Sequence, residues 1–196
     1  MGMARTNVRE QLLSAGLDTL RRKGFNATSV EDITQAAGVP KGSFYNHFES
    51  KEALGAEAVL KYRERSEAWK ALRAMRDTKG APLTRLRKYF EGATERAFEA
   101  ESWSGCLLGN FACELSNQSP MIRDQVAAAF AAWSDEIAVV IGEAQRTGAV
   151  AKDVPPKALA AFVLNAWEGA VLRSNADQSR APLQLFLRVT FSKILA

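Results

Sequence analysis

Histidine and cysteine are almost missing from this sequence: among 196 residues there is one histidine, His47, and two cysteines, Cys106 and Cys113. A four-ligand zinc site cannot be assembled from those three without carboxylates, and their spacing matches no zinc motif. There is no glycine-rich phosphate loop, so neither a metal nor a nucleotide cofactor is expected. Glycine (13) and proline (6) are scarce, and almost no segment alternates apolar and polar residues with a period of two, which disfavours a sheet. The start, Met1 to Arg5, lacks the apolar run of a signal peptide, and no stretch approaches the length of an uninterrupted apolar membrane span. Two cysteines without an export signal suit a reducing cytoplasm, and no membrane partner is expected.

Net charge is also small. The net charge is +4 with a pI near 9.2, which permits nucleic acid as a partner without requiring it. Residues 1–65 carry 10 basic and 8 acidic side chains, and the remainder has the same small surplus, so placement of positive groups has to matter more than their number.

What is present is apolar and helical. Hydrophobic residues make up 47%, ample for a buried core. Val8, Leu12, Ala15, Gly16 and Leu20 recur at helical spacing and predict a first helix ending near Lys23-Gly24. Thr28 and Ser29 offer N-cap hydroxyls with Glu31 and Asp32 at capping-box distance, which opens a short second helix through Ala37. Gly38-Val39 breaks it, and Pro40 is acceptable at the start of a third helix to about Phe48. Longer amphipathic helices follow at 51–77, 82–100, 105–117, 119–147, 156–175 and 182–195, set by breaks such as Gly80-Ala81-Pro82, Ser119-Pro120 and Pro155-Pro156. The fold class is all-α, with about nine helices: an N-terminal three-helix domain over 1–50 and a larger helical domain over 51–196.

The segment Thr28–Lys51 reads TSVEDITQAAGVPKGSFYNHFESK. Two short helices joined by an Ala-Gly-Val turn form a helix-turn-helix, whose second helix can enter a DNA major groove. Its residue types suit a phosphate-lined site: Lys41 and Lys51 supply charge, Gly42 allows close backbone approach, and Ser43, Tyr45, Asn46 and His47 supply hydrogen bonds. Thr28 and Ser29 present hydroxyls and N–H groups at a helix N-terminus, where anions are favoured. Ile33, Ala37, Val39, Phe44 and Phe48 are spaced to pack the motif's small core. An ordinary helical hairpin facing solvent would share the pattern.

From Gly24 to Leu54 the sequence resembles the TetR family of repressors, through GFNATSVEDITQAAGVPKGSFYNHFESKEAL. The resemblance implies a dimer, with helices 1–3 on a double-stranded, near-palindromic operator and later helices around an effector cavity. It also implies that Lys41, Gly42, Ser43, Tyr45, His47 and Lys51 lie mostly on phosphates, with Ser43 and Asn46 as candidates for base contact. Pro40 stands where many members carry Ser or Thr; a capping hydroxyl is lost there.

The larger domain is less explicit. Trp103 to Phe111 opens the sixth helix, and Cys106 in the first turn of a helix would sit near the positive dipole end, which favours a thiolate. No Lys, Arg or His lies within several residues of it, and a small buried core residue is the commonest fate of a free cysteine. The run GCLLGNFACELS resembles a TetR subgroup that includes regulators of electrophile and oxidant response, in which the matching cysteine is the sensor. Cys113 lies seven residues on, about 10 Å along the helix, too far for a disulfide with that helix intact. Trp103, Phe111, Phe130, Trp133 and Trp167 supply apolar surface for an effector pocket, and Asn110, Glu114, Asn165 and Glu168 are the polar groups expected to orient a ligand. That set suits a small, mostly apolar or electrophilic effector.

In the last two helices, Leu159, Phe162, Val163, Ala166, Ala170 and Val171 form one stripe. Leu183, Leu185, Phe186, Leu187, Val189, Phe191 and Ile194 make the final helix apolar nearly all round, so it needs cover on two sides. A homodimer through these helices meets the need. The expected function is a transcriptional regulator, a repressor released from its operator by a small effector, and not an enzyme. One alternative is a redox or electrophile switch using Cys106. Another, from a different class, is a helical-bundle enzyme or carrier with Cys106 as nucleophile, for which no base is visible because the one histidine belongs to the DNA motif.

Overall fold

The computed structural model describes residues 7–77, 79–99 and 105–196. All regular structure among them is helical. In chain order the elements are α1 (Val8–Lys23), α2 (Val30–Ala36), α3 (Gly42–Tyr45), α4 (Lys51–Arg65), α5 (Glu67–Asp77), α6 (Pro82–Glu99), α7 (Leu107–Leu115), α8 (Pro120–Arg146), α9 (Pro156–Asp177) and α10 (Ala181–Val189), closed by a π-helical turn at Thr190–Ile194.

Two boundaries differ from the pattern in the sequence. The single helix expected over 51–77 breaks at Ser66, whose carbonyl accepts the amide of Lys70 to begin α5. Nothing like Gly or Pro marks the break; serine is a residue type favoured at helix N-cap positions. The last helix runs as α only to Val189 and then widens into the π turn.

The chain folds into two compact units that do not follow sequence order. The first comprises the described part of 1–64 with Leu107–Ala129; the second comprises Arg65–Cys106 with Phe130–Ala196. The first unit therefore takes in α4, α7 and the start of α8 as well as the helix-turn-helix.

The first unit is held by a continuous apolar core. Leu12, Leu20, Ile33, Phe44 and Leu54 are fully buried, with Phe25 and Phe48 nearly so. Of the motif's expected core, Ile33, Phe44 and Phe48 are buried, whereas Ala37 and Val39 are half-buried. Gly16 lets α1 and α4 approach: a Cβ there would stand 2.7 Å from Leu54 Cδ2. Arg9 joins α1 to α4 through Glu57 at 2.6 Å and lies over the Phe48 ring.

The second unit is built on aromatic packing. Phe90 of α6, Trp167 of α9 and Phe186 of α10 touch one another with centroids 5.1–5.4 Å apart, and Trp69 of α5 meets Trp133 of α8 at 5.9 Å. Each such ring pair adds about 1 kcal/mol beyond the area it buries. Helix α8 is long and apolar enough by composition to cross a bilayer, yet Ile122, Val126, Ala129, Trp133, Ile137, Val140 and Ile141 are all buried, with Phe130 half-buried. It is a core helix shared by both units.

Candidate nucleic-acid interface and effector unit

The head's second helix is positioned by its own side chains. Ser29 caps α2: its hydroxyl accepts the Asp32 amide at 3.0 Å, while its own amide donates to Asp32 Oδ2 at 2.8 Å, the capping box expected from the sequence. Lys23 closes on Asp32 at 2.6 Å. That bond first, then the Ser29 amide and hydroxyl, hold the Asp32 carboxyl far below the usual carboxylate range. The N-terminus of α2 thus already carries an anion, Asp32.

Gly38 takes a positive φ of 67°, which lets the chain turn from α2 toward α3 without Cβ strain. Helix α3 is only four residues long, but turn bonds from Ser43 to Pro40 and from Phe48 to Phe44 extend its curl over the expected 40–48 span. With Phe44 and Phe48 turned inward, Lys41, Gly42, Tyr45, Asn46 and His47 are exposed together, and Ser43 is half-buried beside them. Tyr45 is 62% exposed, a large ring with no packing reason to face solvent. Lys41 reaches Glu31 at 3.2 Å in an exposed pair, an interaction weak enough for a phosphate to replace.

Three other expected contact residues are used differently. Thr28 is buried, and its hydroxyl donates to Gly24 O at 2.6 Å. Ser29 is exposed but spends its amide and hydroxyl on Asp32. Lys51 turns inward and donates to the carbonyls of Phe25 and Thr28 at 2.9 and 2.7 Å, with its ammonium 4.2 Å from the centroid of Phe25.

The residues expected around an effector divide between the units. Trp103 lies outside the described residues. Phe111 and Glu114 belong to the first unit. There Phe111 packs edge-on against Phe25, and the Glu114 carboxylate accepts the amides of Phe25 and Asn26 at 3.2 and 2.8 Å. Asn110 is half-buried in the same helix, and Asn165 is exposed on α9.

Cys106, Phe130, Trp133 and Trp167 belong to the second unit, with Glu168. Trp133 and Trp167 are buried, and Phe130 is half-buried. Cys106 is buried and donates its thiol proton to Glu168, while Cys113 is exposed in α7; both thiols are free. Burial raises the Glu168 pKa to about 7, partly offset by the Cys106 thiol. One Glu168 oxygen, Oε1, is buried with no hydrogen-bond partner. Among the described residues the other such orphans are Arg85 Nε, Arg96 Nε and Nη2, Trp133 Nε1 and Ser174 Oγ, all in the second unit. Sequence pattern does not reveal these groups, because Arg85 and Arg96 read as solvated charges until α6 is packed.

A small helical head with an exposed polar recognition segment, joined to a separate helical unit with unsatisfied interior polar groups, defines a DNA-binding regulator. Comparison with known proteins agrees. Residues 12–58 match the domain described as bacterial regulatory proteins, tetR family, and residues 82–190 match the tetracyclin repressor-like C-terminal domain. The chain is 39% identical over 194 residues to the HTH-type transcriptional repressor DhaR of Mycobacterium sp. (strain GP1), covering 98% of this chain and 95% of that one. It is 34% identical to the transcriptional regulator AcuR of Cereibacter sphaeroides, over 94% of this chain and 83% of that one. The crystal structure of regulatory protein TetR from Rhodobacter sphaeroides superposes with a TM-score of 0.85 at 33% identity, over 96% of this chain and 99% of that one. The chain belongs to the TetR family; it is a DNA-binding transcriptional regulator and not an enzyme.

Proposed function

We propose that this protein is a cytoplasmic repressor that binds a near-palindromic operator as a homodimer and leaves it when a small effector enters the second unit. The observation that carries the DNA half is the joint exposure of Lys41, Gly42, Tyr45, Asn46 and His47, with Ser43 at their side, on one short helical segment. Lys41, Gly42, Tyr45 and His47 serve phosphates, and Ser43 and Asn46 read base edges. Ser29 lies at the edge of this surface, while Thr28 and Lys51 hold its frame.

The sensing half is supported by the orphaned atoms of Trp133, Glu168, Arg96 and Ser174 within an aromatic interior. Buried polar atoms without partners are costly, and their concentration in one unit suits a small ligand that is mostly apolar with one or two hydrogen-bonding groups. Cys106, Phe130, Trp133 and Trp167 supply that site together with Glu168. A second reading, thiol sensing of electrophiles, is favoured by the Cys106–Glu168 hydrogen bond: the carboxyl is the proton acceptor that the sequence around Cys106 lacks.

One gel-shift experiment on DNA upstream of the protein's own gene tests both. Lys41→Ala should weaken binding on every sequence and lower the salt slope by about one unit, whereas Asn46→Ala should weaken the operator selectively. Absence of specific binding over bulk DNA would overturn the proposal. In the same assay, release by an electrophile such as N-ethylmaleimide that survives Cys106→Ser would reject the thiol reading.

A further inference from the structure

The turn between α1 and α2, residues 24–28, has no regular structure, yet it is among the most tightly bonded segments of the head. Its outer amides, Phe25 N and Asn26 N, donate to Glu114 of α7. Its carbonyls, Phe25 O and Thr28 O, accept from Lys51 of α4. Phe111 of α7 packs on Phe25 from the same side as Glu114. The turn is therefore gripped between one anion and one cation that come from helices outside the helix-turn-helix.

Gly24 is shaped to this grip. Its φ of 81° and ψ of 169° fall where only glycine is comfortable, and a Cβ there would meet Glu114 Oε1 at 2.8 Å. The carboxylate occupies the space that any other residue's side chain would need. From the turn the chain passes directly to the Ser29 cap and α2, so the turn sets where the reading segment stands relative to α1.

We infer that Glu114 is a positioning residue for operator recognition, acting through the α1–α2 turn. Glu114 holds the α1–α2 turn by two charge-assisted hydrogen bonds, Lys51 holds it from the opposite charge, and displacement of α7 relative to the turn breaks both Glu114 bonds at once. The inference rests on the operator-binding reading above.

The test compares wild-type protein, Glu114→Gln and Glu114→Ala in three measurements: amide exchange at Phe25 and Asn26 by NMR, affinity for the operator fragment and for bulk DNA, and the thermal midpoint. In Glu114→Ala both amides should exchange faster than the rest of the head, operator affinity should fall about tenfold, and bulk-DNA affinity should stay within about threefold. Glu114→Gln, which keeps one acceptor oxygen, should fall between the two. A purely structural residue would lower both DNA affinities together, in step with the thermal midpoint; that result, or unchanged operator affinity despite faster exchange, overturns the inference. Wild-type protein without operator preference would instead sink the functional reading itself, and the exchange data tell the two failures apart.

Discussion

Glu168 shows how much one buried group governs at the residue scale. Its carboxyl is held at a pKa of about 7 by burial, against 4.5 for an ordinary glutamate, with the Cys106 thiol donating to it. Below the ordinary value both folded and unfolded chains keep the proton, and the native state carries no electrostatic penalty. As pH rises from about 4.5 toward 7 the unfolded chain releases its proton while the folded chain retains it, so stability falls across that window and stays low above it. The full swing is about 3 kcal/mol. Glu168→Gln should remove this slope, read as urea midpoints that no longer drop between pH 5 and pH 8. A variant with the wild-type pH dependence would show that Glu168 does not titrate in that range.

At the scale of elements, the second unit depends on a buried charge pair that joins three helices. Arg85 of α6 is buried and donates through Nη1 to the carbonyls of Met75 and Arg76, at 2.8 and 3.2 Å, capping the end of α5. Its Nη2 pairs with Glu143 of α8. Removing only the anion leaves a desolvated guanidinium without a counter-charge, so Glu143→Ala should cost about 3 kcal/mol in denaturant unfolding. Replacing the pair by apolar residues, Arg85→Met with Glu143→Leu, should recover most of that loss. If the single and double variants are equally destabilised, the carbonyl caps matter more than the charge pair. The elements also mark where pattern reading stopped. The break at Ser66 has no glycine or proline to announce it, and the α9 stripe holds only in part: Val163 and Val171 are buried as expected, but Ala160, Leu164 and Trp167 share the core with them while Phe162 is 54% exposed. Near-uniform apolarity gave the periodicity no contrast to lock onto.

That outward face matters for the whole molecule. Phe162 and Leu172 of α9 and Leu185 and Val189 of α10 are exposed large apolar residues, with Leu172 reaching 62%. Members of this family act as dimers, and these two helices are the surface we assign to the contact. A second copy seated there would remove the four side chains from water and set two reading heads on one operator. Phe162→Asp combined with Leu172→Asp should give monomers in sedimentation equilibrium and lower operator affinity about a hundredfold, because each half-site must then be bound separately. Dimers that persist in the double variant would place the interface elsewhere.

The sequence by itself determined the helical class, the capping box of Ser29 and Asp32, the helix-turn-helix and the family, because these depend on residues close together in the chain. Tertiary structure decided what long-range partners do with charged groups. Lys51 and Glu114, chosen as a phosphate ligand and an effector ligand, close instead on the carbonyls and amides of one turn, at sequence distances of 23 to 89 residues. The thiol of Cys106 finds its acceptor on α9, and Arg85 its anion on α8. Charge and polarity are visible in a sequence, but a carboxylate has no preferred partner until packing removes water from around it, and only the folded chain decides which donor is then within reach.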